Sequence, residues 1–303
     1  MTWGIGVVLA LQALSTPTLD ATFLAITQFG SAEFALLVVP LVYWCIDKRF
    51  GIRLAFLFLA SVLANVVLKA LFNTPRPYQV DSRVRLIGPE ELSPGFPSGH
   101  AQFATTVWGA LAWRAQRRQV WSLAIVIMVL VAVSRVYLGV HFPHDVLGGM
   151  LFGAIALLIF ARVETAWSVR LAALPFGAHV ALALVVPLMS LVVVANRDWV
   201  AATGTLSGLW IGYAVERRWV HFAVTGSTGQ RALRFIAGIL VVAAIYFGLR
   251  AAFSVMAVVE ETPLWYILRY VRYGLVGLWA SGLWPLIAVR VRLAAREEDN
   301  LGR

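Results

Sequence analysis

Long apolar runs, parted by short polar joints, make up most of this chain. Reading for them gives nine segments, roughly 31–46, 52–73, 100–113, 121–138, 144–162, 171–195, 199–215, 232–253 and 269–290. A membrane-spanning helix needs about 20 mostly apolar residues, fewer where neighbours bury its ends. The third run is short and the last begins with arginines, yet the pattern as a whole predicts an all-α fold, a polytopic transmembrane helical bundle of about nine spans. Three regions follow: 1–28 as an interfacial N-terminal segment, 29–165 as a core of about five spans, and 166–303 as a C-terminal bundle of about four.

Composition agrees with the pattern. Of 303 residues, 60% are hydrophobic and only 13% charged, with a mean hydropathy of +0.81. A soluble chain would carry roughly 25% charged residues. The net charge of +10 comes without a basic tail or basic helix face, so it does not indicate nucleic acid. Basic residues flanking membrane spans account for it. The single Cys45 excludes an intrachain disulfide and a cysteine-based metal site. The opening MTWGIGVVLALQAL has no Lys or Arg ahead of its apolar residues, unlike a secretory signal, and residues 1–28 hold one charge, Asp20.

Orientation follows from where Lys and Arg collect. One set of joints holds Lys48, Arg49 and Arg53, then Arg114, Arg117 and Arg118, then Arg162 and Arg170. It continues with Arg217, Arg218, Arg231 and Arg234, and ends with Arg290, Arg292 and Arg296. This set is expected to be cytoplasmic. The opposite set comprises 74–99, 139–143, 196–198, 254–268 and the N-terminus. An odd number of spans makes the N-terminus extracytoplasmic.

Three polar clusters interrupt the apolar pattern: KALFNTPRP (69–77), PSGH (97–100) and SRVYLGVHFPHD (134–145). Loop charge alone assigns all three to the extracytoplasmic side. Lys69 and Arg76 are two helical turns apart, and Pro75 and Pro77 break the helix there. Ser98 is suited to cap a helix start, and Gly99 leaves the first backbone N–H groups uncovered, which favours an anion. His100 puts an imidazole beside them. In the third cluster, Pro143 suits a first helical turn, and Asp145 is near enough to accept a hydrogen bond from His141. That bond would fix the tautomer and leave the other nitrogen as nucleophile or base. Arg135 adds a forked donor suited to phosphate oxygens. No group of Asp and Glu accompanies these cations, so a metal site has few ligands and none is expected, nor any other cofactor. Cations without metal ligands suit a phosphoryl group neutralised by the protein itself, and two histidines suit attack and leaving-group protonation. The residues point to metal-independent phosphoryl transfer through a covalent histidine.

With these residues in view, the chain resembles the type 2 phosphatidic acid phosphatase superfamily. The family pattern is Lys, six residues, Arg-Pro; then Pro-Ser-Gly-His; then Ser-Arg, five residues, His, three residues, Asp. Every fixed position is present here. The resemblance implies that His141 attacks phosphorus, that Asp145 orients it, and that His100 protonates the leaving oxygen and then activates water. It implies that Lys69, Arg76, Arg135, Ser98 and the Gly99 amide hold the phosphate. His144 is not a fixed position. The nine-span layout with an outward N-terminus looks like that of glucose 6-phosphatase, and vanadium haloperoxidases share the anion pocket.

The C-terminal third has no catalytic motif. Gly204, Gly208 and Gly212, four apart, are expected to let helices pack closely. Arg269 and Arg272 oppose the inward positive bias and are secondary candidates for binding a second phosphate or an anionic headgroup, with pairing to Glu260 and Glu261 as the plain alternative. The expected protein is an integral membrane phosphatase of a bacterial inner membrane. It would hydrolyse phosphate monoesters or diphosphates of lipids at the periplasmic or exterior face, with the bilayer and a phosphorylated lipid as partners. Alternatives are a phosphatase of soluble sugar phosphates, a lipid phosphotransferase, and a non-enzymatic lipid or anion transporter.

Overall fold

A computed structural model describes residues 2–193, 196–256 and 258–297. Apart from two short strands, its regular structure is helical. Helices α1 (Thr2–Gln12) and α2 (Pro17–Thr27) form a bent pair, turning through 118°. The turn has a clear local cause: Thr16 caps α2 by accepting a hydrogen bond from the Leu19 amide at 3.2 Å, and Pro17 occupies the first helical position. Helix α3 (Ala32–Leu41) loosens after Pro40 into a π turn, Val42–Ile46. Helix α4 (Lys48–Phe72) ends just before the Pro75–Pro77 break, and α5 (Pro77–Val80) is a single turn beyond it. A loop then leads to α6 (Gly99–Ala115), α7 (Arg118–Tyr137) and α8 (Pro143–Ala172).

The remaining helices are α9 (Phe176–Val193), α10 (Arg197–Val215), α11 (Thr228–Val255), α12 (Pro263–Leu278) and α13 (Trp284–Arg290). Strands β1 (Phe222–Ala223) and β2 (Ala295–Arg296) pair antiparallel, with Phe222 opposite Arg296.

Each of the nine apolar segments is helical over most of its length. Among the described residues, four helical stretches are long and apolar enough to cross a membrane: Lys48–Val80, Arg118–Tyr137, Pro143–Val163 and Thr228–Val255. The bent pair at the N-terminus makes a fifth if counted as one span. Helix α7, at 20 residues, is about 30 Å long, the thickness of a hydrocarbon core. Leu123, Ile125, Val126, Leu147, Leu151, Leu158 and Ile159 on α7 and α8 point outward, which water would penalise and lipid does not.

Helix α6 is different in kind. Most of its residues are buried, and it carries polar side chains inward. Gln102 donates to the Ser61 carbonyl at 2.8 Å and accepts from Asn65 at 2.9 Å, while Ser61 and Thr106 share a hydrogen bond of 3.0 Å. These bonds tie α6 to α4 through a polar seam of hydrogen-bonded side chains, the condition under which buried polar groups are tolerated.

The chain divides into two compact units, 1–36 with 57–164, and 37–56 with 165–303. Two groupings differ from the sequence-based division. Residues 1–28 are part of the first unit, where Gln12 donates to the carbonyls of Arg85 (2.8 Å) and Tyr137 (3.0 Å). Residues 37–56 pack with the C-terminal residues, because Trp44 donates to the Ala280 carbonyl (2.7 Å), Tyr43 to that of Ser281 (2.9 Å), and Lys48 pairs with the buried Glu216 (2.9 Å). In that second unit α10 and α12 meet along the expected glycine seam. A Cβ on Gly208 would lie 1.8 Å from the Gly274 carbonyl oxygen, so no larger residue fits there.

Candidate active site

All three polar clusters lie in the first unit, and its core brings their backbones together. Ile5, Val8, Val84, Ala101, Ala132, Val136, Phe142 and Val146 form one buried apolar cluster drawing on α1, α6, α7 and α8. Phe142 is anchored in it, which fixes its neighbour His141. Helix α8 approaches the start of α6 so closely that a Cβ on Gly149 would sit 2.4 Å from the Ser98 carbonyl. The Ser98 amide donates to the Asp145 carbonyl at 3.0 Å, joining the second cluster to the third.

Arg76 is the hub. It lies outside α4, at the cap of α5, so the proline break rather than a shared helix face sets its place relative to Lys69. It is wholly buried, and all three of its guanidinium nitrogens are engaged. Nε donates to the Ser93 carbonyl (2.8 Å) and Nη1 to that of Val140 (2.9 Å). Nη2 donates to Ser93 Oγ (3.2 Å) and the Pro94 carbonyl (3.3 Å) and pairs with Glu91 Oε2 (2.7 Å). Lys69, in the last turn of α4, also donates to the Pro94 carbonyl. Arg135, near the end of α7, donates through Nη1 to Thr27 Oγ1 (3.1 Å) and through Nη2 to Glu91, and its Nε has no hydrogen-bond partner among the described residues.

His141 sits between Arg76 and Asp145. Arg76 Nη1 is 3.2 Å from His141 Nε2. A guanidinium can only donate, so Nε2 must present its lone pair and the ring proton belongs on Nδ1. Burial, reinforced by Arg76, Arg135, Lys69 and His100, holds the His141 pKa well below the ordinary histidine value, so the ring is neutral at pH 7.

The expected Asp145–His141 hydrogen bond is not formed. Asp145 Oδ2 lies 3.4 Å from Nδ1, and Nδ1 has no hydrogen-bond partner among the described residues. The reason is local: as the third residue of α8, Asp145 reaches back and accepts from the Phe142 amide at 2.8 Å. Its other oxygen is 3.3 Å from Nε2 of the half-exposed His144, whose ring stacks on Phe142. Ser98 does occupy the N-cap of α6, but its hydroxyl caps nothing and is buried without a hydrogen-bond partner among the described residues. Gly99 and His100 form the first turn of α6. Ser98 Oγ, Arg135 Nε and His141 Nδ1, buried and without a hydrogen-bond partner among the described residues, all belong to the two later motifs. Orphaned buried donors and acceptors of this kind are rare and mark a place where a polar ligand or water completes the bonding.

Sequence reasoning missed Glu91, Ser93 and Thr27 as partners of the arginines. The pair Glu90–Glu91 was a usable signal, since acidic residues are scarce in this chain. Among the described residues, no three His, Cys, Asp or Glu side chains are placed to hold a metal ion.

Arg269 and Arg272 lie in the second unit, and among the described residues the alternative pairing with Glu260 and Glu261 is not formed. Both glutamates pair with Arg197, at 2.5 and 3.0 Å. Arg269 instead donates to the Arg197 carbonyl (2.9 Å) and lies over Trp265 and Tyr273, while the buried Arg272 lies between Tyr246 and Tyr273. The aromatic faces replace the carboxylates as their partners.

Comparison with known proteins bears on both units. Residues 50–168 match the PAP2 superfamily, and residues 200–296 match the PAP2 superfamily phosphatase, transmembrane extension. Phosphatidylglycerophosphatase B of Bacillus subtilis is 33% identical over 168 residues, covering 51% of this chain and 78% of that protein. An undecaprenyl-diphosphatase of Sulfolobus acidocaldarius is 28% identical over 156 residues, covering 50% of this chain and 74% of that protein. The crystal structure of a transmembrane PAP2-type phosphatidylglycerolphosphate phosphatase from Bacillus subtilis superposes with a TM-score of 0.47 at 27% identity, covering 55% of this chain and 86% of that one.

Proposed function

The chain belongs to the PAP2 superfamily and is an integral membrane phosphatase, and from that premise we propose that it removes a terminal phosphate from a lipid at the extracytoplasmic face. The observation that carries the reading is the contact of Arg76 with His141. It leaves a neutral imidazole whose Nε2 lone pair faces the cations suited to a phosphoryl group.

In this mechanism Lys69, Arg76, Arg135, Ser98 and the Gly99 amide bind the phosphoryl oxygens. His141 Nε2 forms a bond to phosphorus as the bond to the leaving oxygen breaks, and His100 gives that oxygen a proton. The Nδ1 proton of His141, carrying positive charge in the phosphohistidine, is balanced by Asp145. Water then attacks phosphorus, His100 takes its proton, and His141 leaves neutral with its Nε2 lone pair restored. The fixed donors cost no reorganisation as charge moves onto the oxygens.

Lipid substrates are supported by the relatives named for phosphatidylglycerophosphate and undecaprenyl diphosphate. Nine spans rest on the apolar runs, and the extracytoplasmic face and outward N-terminus rest on loop charge. An inner-membrane location with a periplasmic site belongs to the same reading. Detergent-purified protein in EDTA, offered phosphatidylglycerophosphate, polyprenyl diphosphate, phosphatidate and a hexose phosphate, should release phosphate from a lipid. His141→Ala should release none. Full activity in that variant would refute the mechanism, and hydrolysis of the hexose phosphate alone would refute the lipid assignment.

A further inference from the structure

The loop between α5 and α6 folds back over the cations. Within four residues, Ser93 and Pro94 occupy Arg76, and Pro94 also accepts from Lys69. Glu91 goes further and sets one carboxylate oxygen on each arginine. Its Oε2 is 2.7 Å from Arg76 Nη2, and its Oε1 accepts from Arg135 Nη2. The Tyr78 hydroxyl donates to the Glu91 carbonyl at 3.1 Å and fixes the backbone beneath the side chain. Both arginines are almost wholly buried, while the Glu91 side chain is a quarter exposed. The carboxylate therefore covers the cations from the solvent side.

A carboxylate bridging two guanidinium groups offers two oxygens with shared negative charge, as one edge of a phosphoryl group does. We propose that Glu91 is an internal competitor anion, spanning Arg76 and Arg135 in place of two phosphoryl oxygens, so that a substrate binds only by displacing it. The inference rests on the reading of those arginines as phosphate ligands. It also supplies a basis for selectivity that the motifs alone do not. A terminal phosphate brings up to two charges over three free oxygens and can take both arginines from a single carboxylate. A phosphodiester brings one charge over two free oxygens and competes poorly. Phosphodiester headgroups surround a membrane enzyme in great excess, and Glu91 would keep the site from filling with them.

The competing explanation is purely structural: Glu91 neutralises two buried arginines and holds them in place, as buried ion pairs do. The two differ in sign. Losing a competitor tightens anion binding, whereas losing a brace loosens it. The experiment measures inhibition of turnover by inorganic phosphate and by diethyl phosphate, using the full chain in detergent and comparing wild type with Glu91→Gln. The expected result is phosphate inhibition about tenfold tighter in the variant, about 1.4 kcal/mol. Diethyl phosphate should inhibit the variant at concentrations that leave the wild type unaffected. Glu91→Asp, too short to bridge both arginines, should shift the same way by less. If Glu91→Gln does not fold, the melting-temperature rise on adding phosphate is compared between wild type and Glu91→Asp, and should be larger in the variant.

Phosphate binding that is unchanged or weaker in these variants would overturn the proposal. It would leave the phosphatase reading intact if the wild type still hydrolyses lipid phosphate and His141→Ala does not. Tighter phosphate binding without diethyl phosphate inhibition would overturn the selectivity role. A wild type that neither hydrolyses a phosphate ester nor binds phosphate would overturn this proposal together with the reading it rests on.

Discussion

His141 is held by two neighbours with opposite effects. Arg76 occupies its Nε2 lone pair and adds positive charge, while Asp145 lies near the Nδ1 proton without bonding to it. Because burial and nearby cations push the His141 pKa down, the free enzyme keeps the neutral ring well into acid. Once substrate ionisation is allowed for, the acid limb of kcat/KM belonging to His141 is expected below the ordinary histidine value of about 6.5. Rate is lost only as pH falls through the lowered pKa, and a limb at or above the ordinary value would contradict this. Arg76→Lys keeps one charge but loses the fork that reaches Ser93, Val140, Glu91 and His141 at once. Its kcat/KM should fall by about a hundredfold or more, about 3 kcal/mol of transition-state stabilisation. At this scale the motif residues were legible because their spacing is local and their types are chemically distinct. Glu91 was not, because nothing in GPEEL indicates that its carboxylate turns back onto arginines 15 and 44 positions away (91 − 76 and 135 − 91). The Asp145–His141 expectation failed for a related reason. Spacing of four makes such a bond feasible, but the open end of α8 claimed the carboxylate first.

Helices were the most legible level, since an apolar run and its proline and glycine breaks are local properties. Which helices are interior was less so. Helix α6 is short, yet it is anchored by the Gln102, Asn65, Ser61 and Thr106 bonds to α4, which also steady the PSGH turn through Asn65 and the Pro97 carbonyl (3.3 Å). Gln102→Leu leaves Ser61 and Asn65 short of partners in a buried seam. It should cost about 1–3 kcal/mol, read as a lower melting temperature in detergent with the helix content of the folded state unchanged. In the second unit, Gly208→Leu would force α10 from α12, because even a methyl group overlaps the Gly274 carbonyl. Its expected outcome is severe destabilisation, whereas Gly248→Leu on α11, where the added carbon meets nothing within 4 Å, should be tolerated. The grouping of 37–56 with the C-terminal unit was hidden, because Trp44 and its acceptor Ala280 are 236 positions apart.

For the molecule as a whole, charge distribution carries the topological claim. On the proposed nine-span layout, one set of joints is rich in arginine and the three motifs fall on the other. In intact cells with Cys45 replaced by Ala, Leu92→Cys, exposed in the motif-bearing loop, should react with a membrane-impermeant maleimide, and Arg117→Cys should not. The reverse pattern would invert the topology. The central claim, however, is chemical: phosphate passes through His141. The most direct measurement is rapid acid-free quenching of the purified protein with a terminally ³²P-labelled lipid phosphate, followed by peptide mapping. The account predicts an alkali-stable, acid-labile phosphohistidine at His141 that forms in EDTA and accumulates when His100 is replaced and a good leaving group is used. Wild-type turnover with label on another residue, or with none trapped under these conditions, would contradict it.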